Sequence, residues 1–127
     1  FFGHAMSFWS EISADATDET RGGYPKGPVV EPGRLPHLLR EYPNLYGDLS
    51  AGSGFNAITR DPDYGLKFLE EFQDKLLFGT DLCHHDQDAP IVEFFLKLRT
   101  ESRISDVAYE KITCGNATRL LEPKGSP

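Results

Sequence analysis

The sequence predicts an α/β fold with parallel strands: the C-terminal part of a (β/α)8 TIM barrel, about strands six to eight with their helices, incomplete in this chain. Three observations carry that expectation. One unit recurs three times, an apolar stretch, then a polar or glycine-containing segment, then a helix, and such alternation joins parallel strands by right-handed crossovers. The 127 residues hold one domain at most. A parallel sheet must be covered on both faces or closed into a barrel, and a whole (β/α)8 barrel takes about 250 residues, roughly twice this chain. Phe1 also falls inside what reads as a strand, with no initiator methionine and no preceding turn, so the chain is expected to be the C-terminal part of something longer. Residues 1–122 are assigned to the barrel portion and 123–127, with "KGSP", to a disordered tail.

The first unit opens with the strand "FFGH", crosses a Gly-, Pro- and charge-rich segment from about Ser10 to Gly33, and enters a helix at "RLPHLLREY". Leu35, Leu38, Leu39 and Tyr42 form its apolar stripe, Pro36 is tolerated in the first turn, and Pro43 ends it. In the second unit, Leu45 to Ser50 alternates as a strand does before glycines release it, and "DP" at Asp61 and Pro62 starts a helix that turns Phe68, Leu69 and Phe72 inward. The third is the strand "KLLFGTD", the loop "LCHHDQ", and a helix from about Asp88 with Ile91, Phe94, Phe95 and Leu98 buried; Asp86 and Asp88 are read as helix-start residues. A last helical region begins with Ser105 as N-cap, is punctuated by Gly115 and closes at Pro123.

Composition narrows the function classes. A net charge of -7, from 20 acids against 13 bases, argues against nucleic acid or an anionic membrane as partner, since both reward clustered Lys and Arg. The longest apolar runs, such as "IVEFFLKL", fall far short of the roughly 20 residues that span a bilayer. "FFGHAMSFW" lacks the basic region and small-residue cleavage site of a signal peptide. Cys83 and Cys114 have no CxxC spacing and read as reduced thiols, so the expected location is cytoplasmic.

The reactive side chains cluster at strand ends: His4 after the first strand, Asp48 and Ser50 toward the end of the second, Asp81 at the end of the third. In parallel βα folds the ligand site lies at the carboxyl ends of the strands, so all three aim at one mouth. There Asp81 can ligate a divalent cation and move a proton between bound water and a leaving group; the alternative is a turn cap. His4 can hydrogen-bond an oxyanion or water, or ligate metal; the alternative is a histidine satisfied by backbone at the rim. His84 and His85 suggest a metal pair, but neighbouring residues at a strand end point in different directions, which leaves His84 a candidate to touch substrate. Cys83 reads as a buried small hydrophobe. Trp9 and Phe8 could wall a substrate pocket or pack beneath the long loop, and Ser50 is a further pocket candidate. The loop Ser10 to Gly33 is either a specificity-shaping cover over the mouth or a mobile insertion.

"FFGHAMSFW", "PNLYGDLSAGSG", "FLEEFQDKLLFGTDLC" and "ITCGNATRLL" resemble successive segments of the C-terminal half of the amidohydrolase superfamily. The branch is that of metal-dependent TIM-barrel hydrolases which includes aminocarboxymuconate semialdehyde decarboxylase and related nonoxidative decarboxylases. The resemblance covers nearly the whole chain. It implies that Asp81 is the strand-eight aspartate that ligates the catalytic metal and shuttles protons, and that His4 is the strand-six histidine beside the metal. The cofactor it implies is a divalent ion, zinc foremost, and the partner a small-molecule substrate. The family's His-x-His pair on strand one and its histidine on strand five have no counterpart here, and His84 and His85 do not match those positions.

Three functions follow as expectations. The leading one is a segment of a metal-dependent hydrolase in which metal-activated water attacks an amide, ester or similar bond, with this chain alone inactive. Nonoxidative decarboxylation by the same residues is the alternative within enzymes. A non-catalytic fragment that pairs its open sheet edge with another chain, or with a second copy as a homo-oligomer, is the alternative outside them.

Overall fold

Three short parallel strands lie side by side in chain order in a computed structural model that describes residues 1–122; the tail expected at 123–127 lies outside the described residues. They are β1 (Phe2–Gly3), β2 (Tyr46–Asp48) and β3 (Leu76–Leu77). Gly3 pairs with Gly47, and Gly47 and Asp48 with Leu76 and Leu77, so the carboxyl ends of the three strands finish within one residue of one another. The mixed α/β class and the parallel order agree with the sequence. Each strand is shorter than its apolar stretch, because the chain turns away at once: after Leu77 the Phe78 N–H leaves the ladder and donates to the Ile112 carbonyl, 3.0 Å away.

Seven α-helices are described: α1 (Ala5–Ser10), α2 (Arg34–Glu41), α3 (Ala51–Thr59), α4 (Pro62–Glu71), α5 (Pro90–Thr100), α6 (Asp106–Glu110) and α7 (Asn116–Leu121), with a π-helical turn (Lys111–Gly115) between the last two. The start of α4 matches the sequence reading: Asp61 Oδ1 accepts from the Tyr64 N–H at 3.1 Å, Pro62 occupies the first turn, and Phe68, Leu69 and Phe72 are buried. Burial and the two backbone N–H groups differ in their demands at Asp61. The Val29 and Tyr64 amides together hold its carboxyl below the usual carboxylate range.

Several expectations need correcting. Helices α1 and α3 were not anticipated. "AGSGFNAIT" has poor helix propensity, but its small residues Ser53, Gly54 and Ala57 are what let α3 be buried. The fit with α4 is tight, since a side chain at Gly65 would run into the Ile58 carbonyl. In α2, Leu35 and Leu39 are buried, but Leu38 and Tyr42 are each more than a third exposed; Tyr42 is already extended, as the residue before a proline tends to be. Helix α5 starts at Pro90 after Ala89, with no side-chain cap, so neither Asp86 nor Asp88 begins it. Phe94 is half-buried, edge-on to Phe55, while Ile91, Phe95 and Leu98 join the core. Cys83 is exposed, because the loop carrying it stands clear of the core.

The far edge of β3 is closed by helix groups. The π turn, in which the Asn116 N–H reaches back five residues to the Lys111 carbonyl, leaves the Ile112 carbonyl to receive the Phe78 N–H. One residue on, the buried Asn116 Nδ2 donates to the Leu76 carbonyl at 2.9 Å and the Gln73 carbonyl at 2.7 Å. β1 forms the other edge of the sheet, with Phe1 and Phe2 exposed beside it.

The segment from Ser10 to Gly33 is pinned along its length. Glu11 holds Arg21 and Arg34, Asn56 donates to the Pro25 carbonyl, Arg60 Nε donates to the Gly27 carbonyl, and the Val29 N–H donates to Asp61 Oδ2. Ile12 and Val29 are buried beneath it. Among the described residues, no helix is long and apolar enough to cross a membrane.

Candidate functional site

The aligned strand ends bring four side chains together. His4 lies one residue past Gly3 and Asp48 one past Gly47, so the β1–β2 register sets them side by side at about the 4.8 Å spacing of neighbouring strands. His4 Nδ1 is 3.3 Å from Asp48 Oδ2 and 3.3 Å from Ser50 Oγ. The other oxygen, Asp48 Oδ1, accepts the Ser50 N–H at 2.9 Å. On the opposite face of the imidazole, His4 Nε2 is 3.8 Å from Asp81 Oδ2. The side chains of His4, Asp48 and Asp81 are 38, 33 and 47 % exposed, so all three reach solvent.

The scaffold beneath fixes this arrangement. Trp9, only 2 % exposed, donates from Nε1 to the Asp48 carbonyl at 2.9 Å and packs edge-on against Phe68. Its surroundings are core; the small cavity behind it, with Ser53, Asn56 and Arg60, measures about 10 Å³, room for one water at most. Gly79 has a steric role: a Cβ there would sit 3.0 Å from Ser50 Cβ and 3.4 Å from Asp48 Oδ1, so glycine lets "FGTD" pass close to the second strand without displacing either residue. Two residues later Asp81 adopts φ 53°, a left-handed conformation that aspartate tolerates better than most residues.

Chemically, the cluster is a histidine with its two ring nitrogens differently employed. A carboxylate against Nδ1 favours the proton on that nitrogen, which leaves Nε2 as the lone-pair nitrogen facing Asp81. At 3.8 Å the Nε2–Asp81 gap is too long for a direct hydrogen bond and close to the separation of two ligands on one ion of the zinc class, at roughly 2.0–2.2 Å from each. The donor set therefore fits a divalent cation. Among the described residues, this pair gains no third His, Cys, Asp or Glu ligand within 4.8 Å.

Two sequence candidates remain, one outside the cluster and one within it. His84 lies in the exposed loop after Asp81, its backbone N–H held by Gln87 Oε1 at 3.0 Å. Ser50 is nearly buried and belongs to the cluster through His4. Tyr24, from the pinned segment, sets its hydroxyl against Gly52, two residues past Ser50. Sequence reasoning noted Asp48 as a strand-end residue but missed its partnership with His4. The alternation of "DLS" signals that Asp48 and Ser50 share a face, but the neighbour His4 is set by the β1–β2 register.

No curated protein and no solved structure matches this chain. The model of the family described as Amidohydrolase matches residues 22–122, a span that contains Asp48, Ser50, Gly79 and Asp81 and begins after His4. With four-fifths of its residues inside that match, the chain belongs to the amidohydrolase family.

Proposed function

We propose that this chain supplies part of the catalytic mouth of a metal-dependent hydrolase, with its three strands as neighbouring strands of a (β/α)8 barrel and His4 and Asp81 as its metal-holding and acid/base residues. The observation that carries the reading is the convergence of His4 Nε2 and Asp81 Oδ2, 3.8 Å apart at the carboxyl ends of β1 and β3. Amidohydrolases in general use divalent metals, and the donor chemistry of one imidazole and one carboxylate suits zinc. A bound ion of this kind polarises a carbonyl and lowers the pKa of water.

The roles of the chain's own residues follow from the contacts. Asp81 presents a half-exposed carboxylate that can take a proton from water and return it to a leaving group. Asp48 holds the His4 ring through Nδ1, so that Nε2 stays directed at the mouth. Ser50, fixed by its own N–H on Asp48, completes the support without facing the substrate. Catalytic zinc sites commonly use three protein ligands, so further ligands must come from outside this pair.

The test is Asp81→Asn in the zinc-loaded full-length enzyme, whose other strands supply the remaining ligands, assayed on a panel of amides, esters and aromatic or enoic carboxylic acids. Turnover should be abolished, and near-normal turnover would sink the assignment. Carbon dioxide released from the aromatic or enoic acids, with no cleavage of the amides and esters, would favour decarboxylation over hydrolysis, since the same pair can protonate the carbon left after carboxylate loss.

A further inference from the structure

We propose that the loop after β3 carries a second metal site, which takes a divalent transition ion such as zinc through His84, His85 and Asp86. None of these residues belongs to the His4–Asp48–Asp81 cluster. The sequence suggested that adjacent imidazoles would point apart; the fold brings them together instead. Their rings lie 4.4 Å apart, and both face one carboxylate: His85 Nε2 is 3.1 Å from Asp86 Oδ1 and His84 Nδ1 is 3.7 Å from Asp86 Oδ2. One donor atom from each of the three lies within 4.8 Å of the others, a spread that one ion can draw together.

The loop is held in that shape without a metal. Gln87 Oε1 accepts from both the Cys83 and His84 N–H groups, at 2.8 and 3.0 Å, and the Gln87 N–H returns to the His84 carbonyl at 3.1 Å. The Asp86 N–H points at His84 Nδ1, 3.3 Å away, which marks that nitrogen as the one with the lone pair, on the side of the carboxylate. Two imidazoles and a carboxylate form a borderline donor set that selects zinc, nickel or copper over magnesium or calcium, which prefer all-oxygen sites. The side chains of His84, His85 and Asp86 are 63, 80 and 74 % exposed, so water fills the other coordination positions and the ion exchanges freely. An ion held there would stiffen the stretch of chain that begins at Asp81.

The four histidines, His4, His37, His84 and His85, allow a direct test by imidazole nitrogen NMR during a zinc titration of the intact protein. Signals of His84 and His85 should move together while His37, on α2, stays still. Outer-shell changes alone cost about 10–100-fold in metal affinity, so removing a direct ligand by His85→Ala or Asp86→Asn should weaken the response of the remaining histidines at least tenfold. The Asp81→Asn protein must show the His84 and His85 shifts undiminished. The proposal is overturned if those two signals stay fixed in millimolar zinc, move no more than His37, or vanish in Asp81→Asn, or if the His84 response keeps its affinity in His85→Ala.

Discussion

Replacing Asn116 by alanine tests the idea that the C-terminal "GNATRLL" is a clamp on the strand that leads to Asp81. Asn116 is 2 % exposed, and its Nδ2 satisfies the carbonyls of Gln73 and Leu76 while Oδ1 receives Arg119 Nη2 at 3.3 Å. Alanine leaves both carbonyls without that donor. A buried polar group stripped of its partner costs about 1–3 kcal/mol, and taking the lower part of that range for each carbonyl gives about 2–4 kcal/mol. With a urea m-value of about 2 kcal/mol/M, the unfolding midpoint should fall by about 1–2 M with m unchanged. Asn116→Asp separates hydrogen bonding from volume, since it keeps the shape but turns an acceptor toward two carbonyls; it should destabilise at least as much as alanine. A loss below about 1 kcal/mol for alanine, or a near-native aspartate variant, would refute the clamp, because either would mean the carbonyls find other partners or never needed this one.

Two further perturbations probe the rest of the frame. Asp48→Asn retains an acceptor for the Ser50 N–H but removes the carboxylate against His4 Nδ1; in the full-length enzyme turnover should fall about 10–100-fold with the urea midpoint unchanged, and unaltered turnover would show that His4 needs no such orientation. Asp61→Ala should cost about 1 kcal/mol near neutral pH, as the loss of a helix N-cap does. Because the folded-state pKa of Asp61 is depressed, its contribution is present above the unfolded carboxylate range and is lost as pH falls through the folded value. The gap to the native protein should therefore close in acid, and urea titrations showing a constant gap would contradict this.

What the sequence made legible were features decided by local chemistry. Asp61 followed by Pro62 announces a helix whatever surrounds it, and the strand-end positions of His4, Asp48, Ser50 and Asp81 follow from counting along each unit. Helix α3 escaped because its stability comes from fitting small residues against α4, a property of two segments together. The pairing of His4 with Asp48 required the β1–β2 register, which no single stretch encodes. The loop aspartates were misread for the opposite reason: Asp86 and Asp88 look like caps, but Pro90 sets the helix start, and Asp86 is engaged with the two histidines instead.

The strand ends are also where the backbone is strained. Of the described non-glycine residues with positive φ, three stand at the junctions where the strands give way: Ala5 at 70°, Ala51 at 62° and Asp81 at 53°. A left-handed residue costs roughly 1–2 kcal/mol, so three of them at strand ends work against stability and must be held by the packing around them. The packing is there: Trp9 anchors the Asp48 carbonyl below the first two junctions, and the Ile112 and Asn116 contacts hold β3 below the third. Ala5 and Ala51 directly follow His4 and Ser50, so the turn at each releases the chain into a helix just after its polar residue. At the third junction the strained residue is also the one proposed as metal ligand and acid/base. Aspartate is among the few side chains that tolerate a left-handed backbone, so at position 81 one residue meets the demands of the turn and of the proposed chemistry.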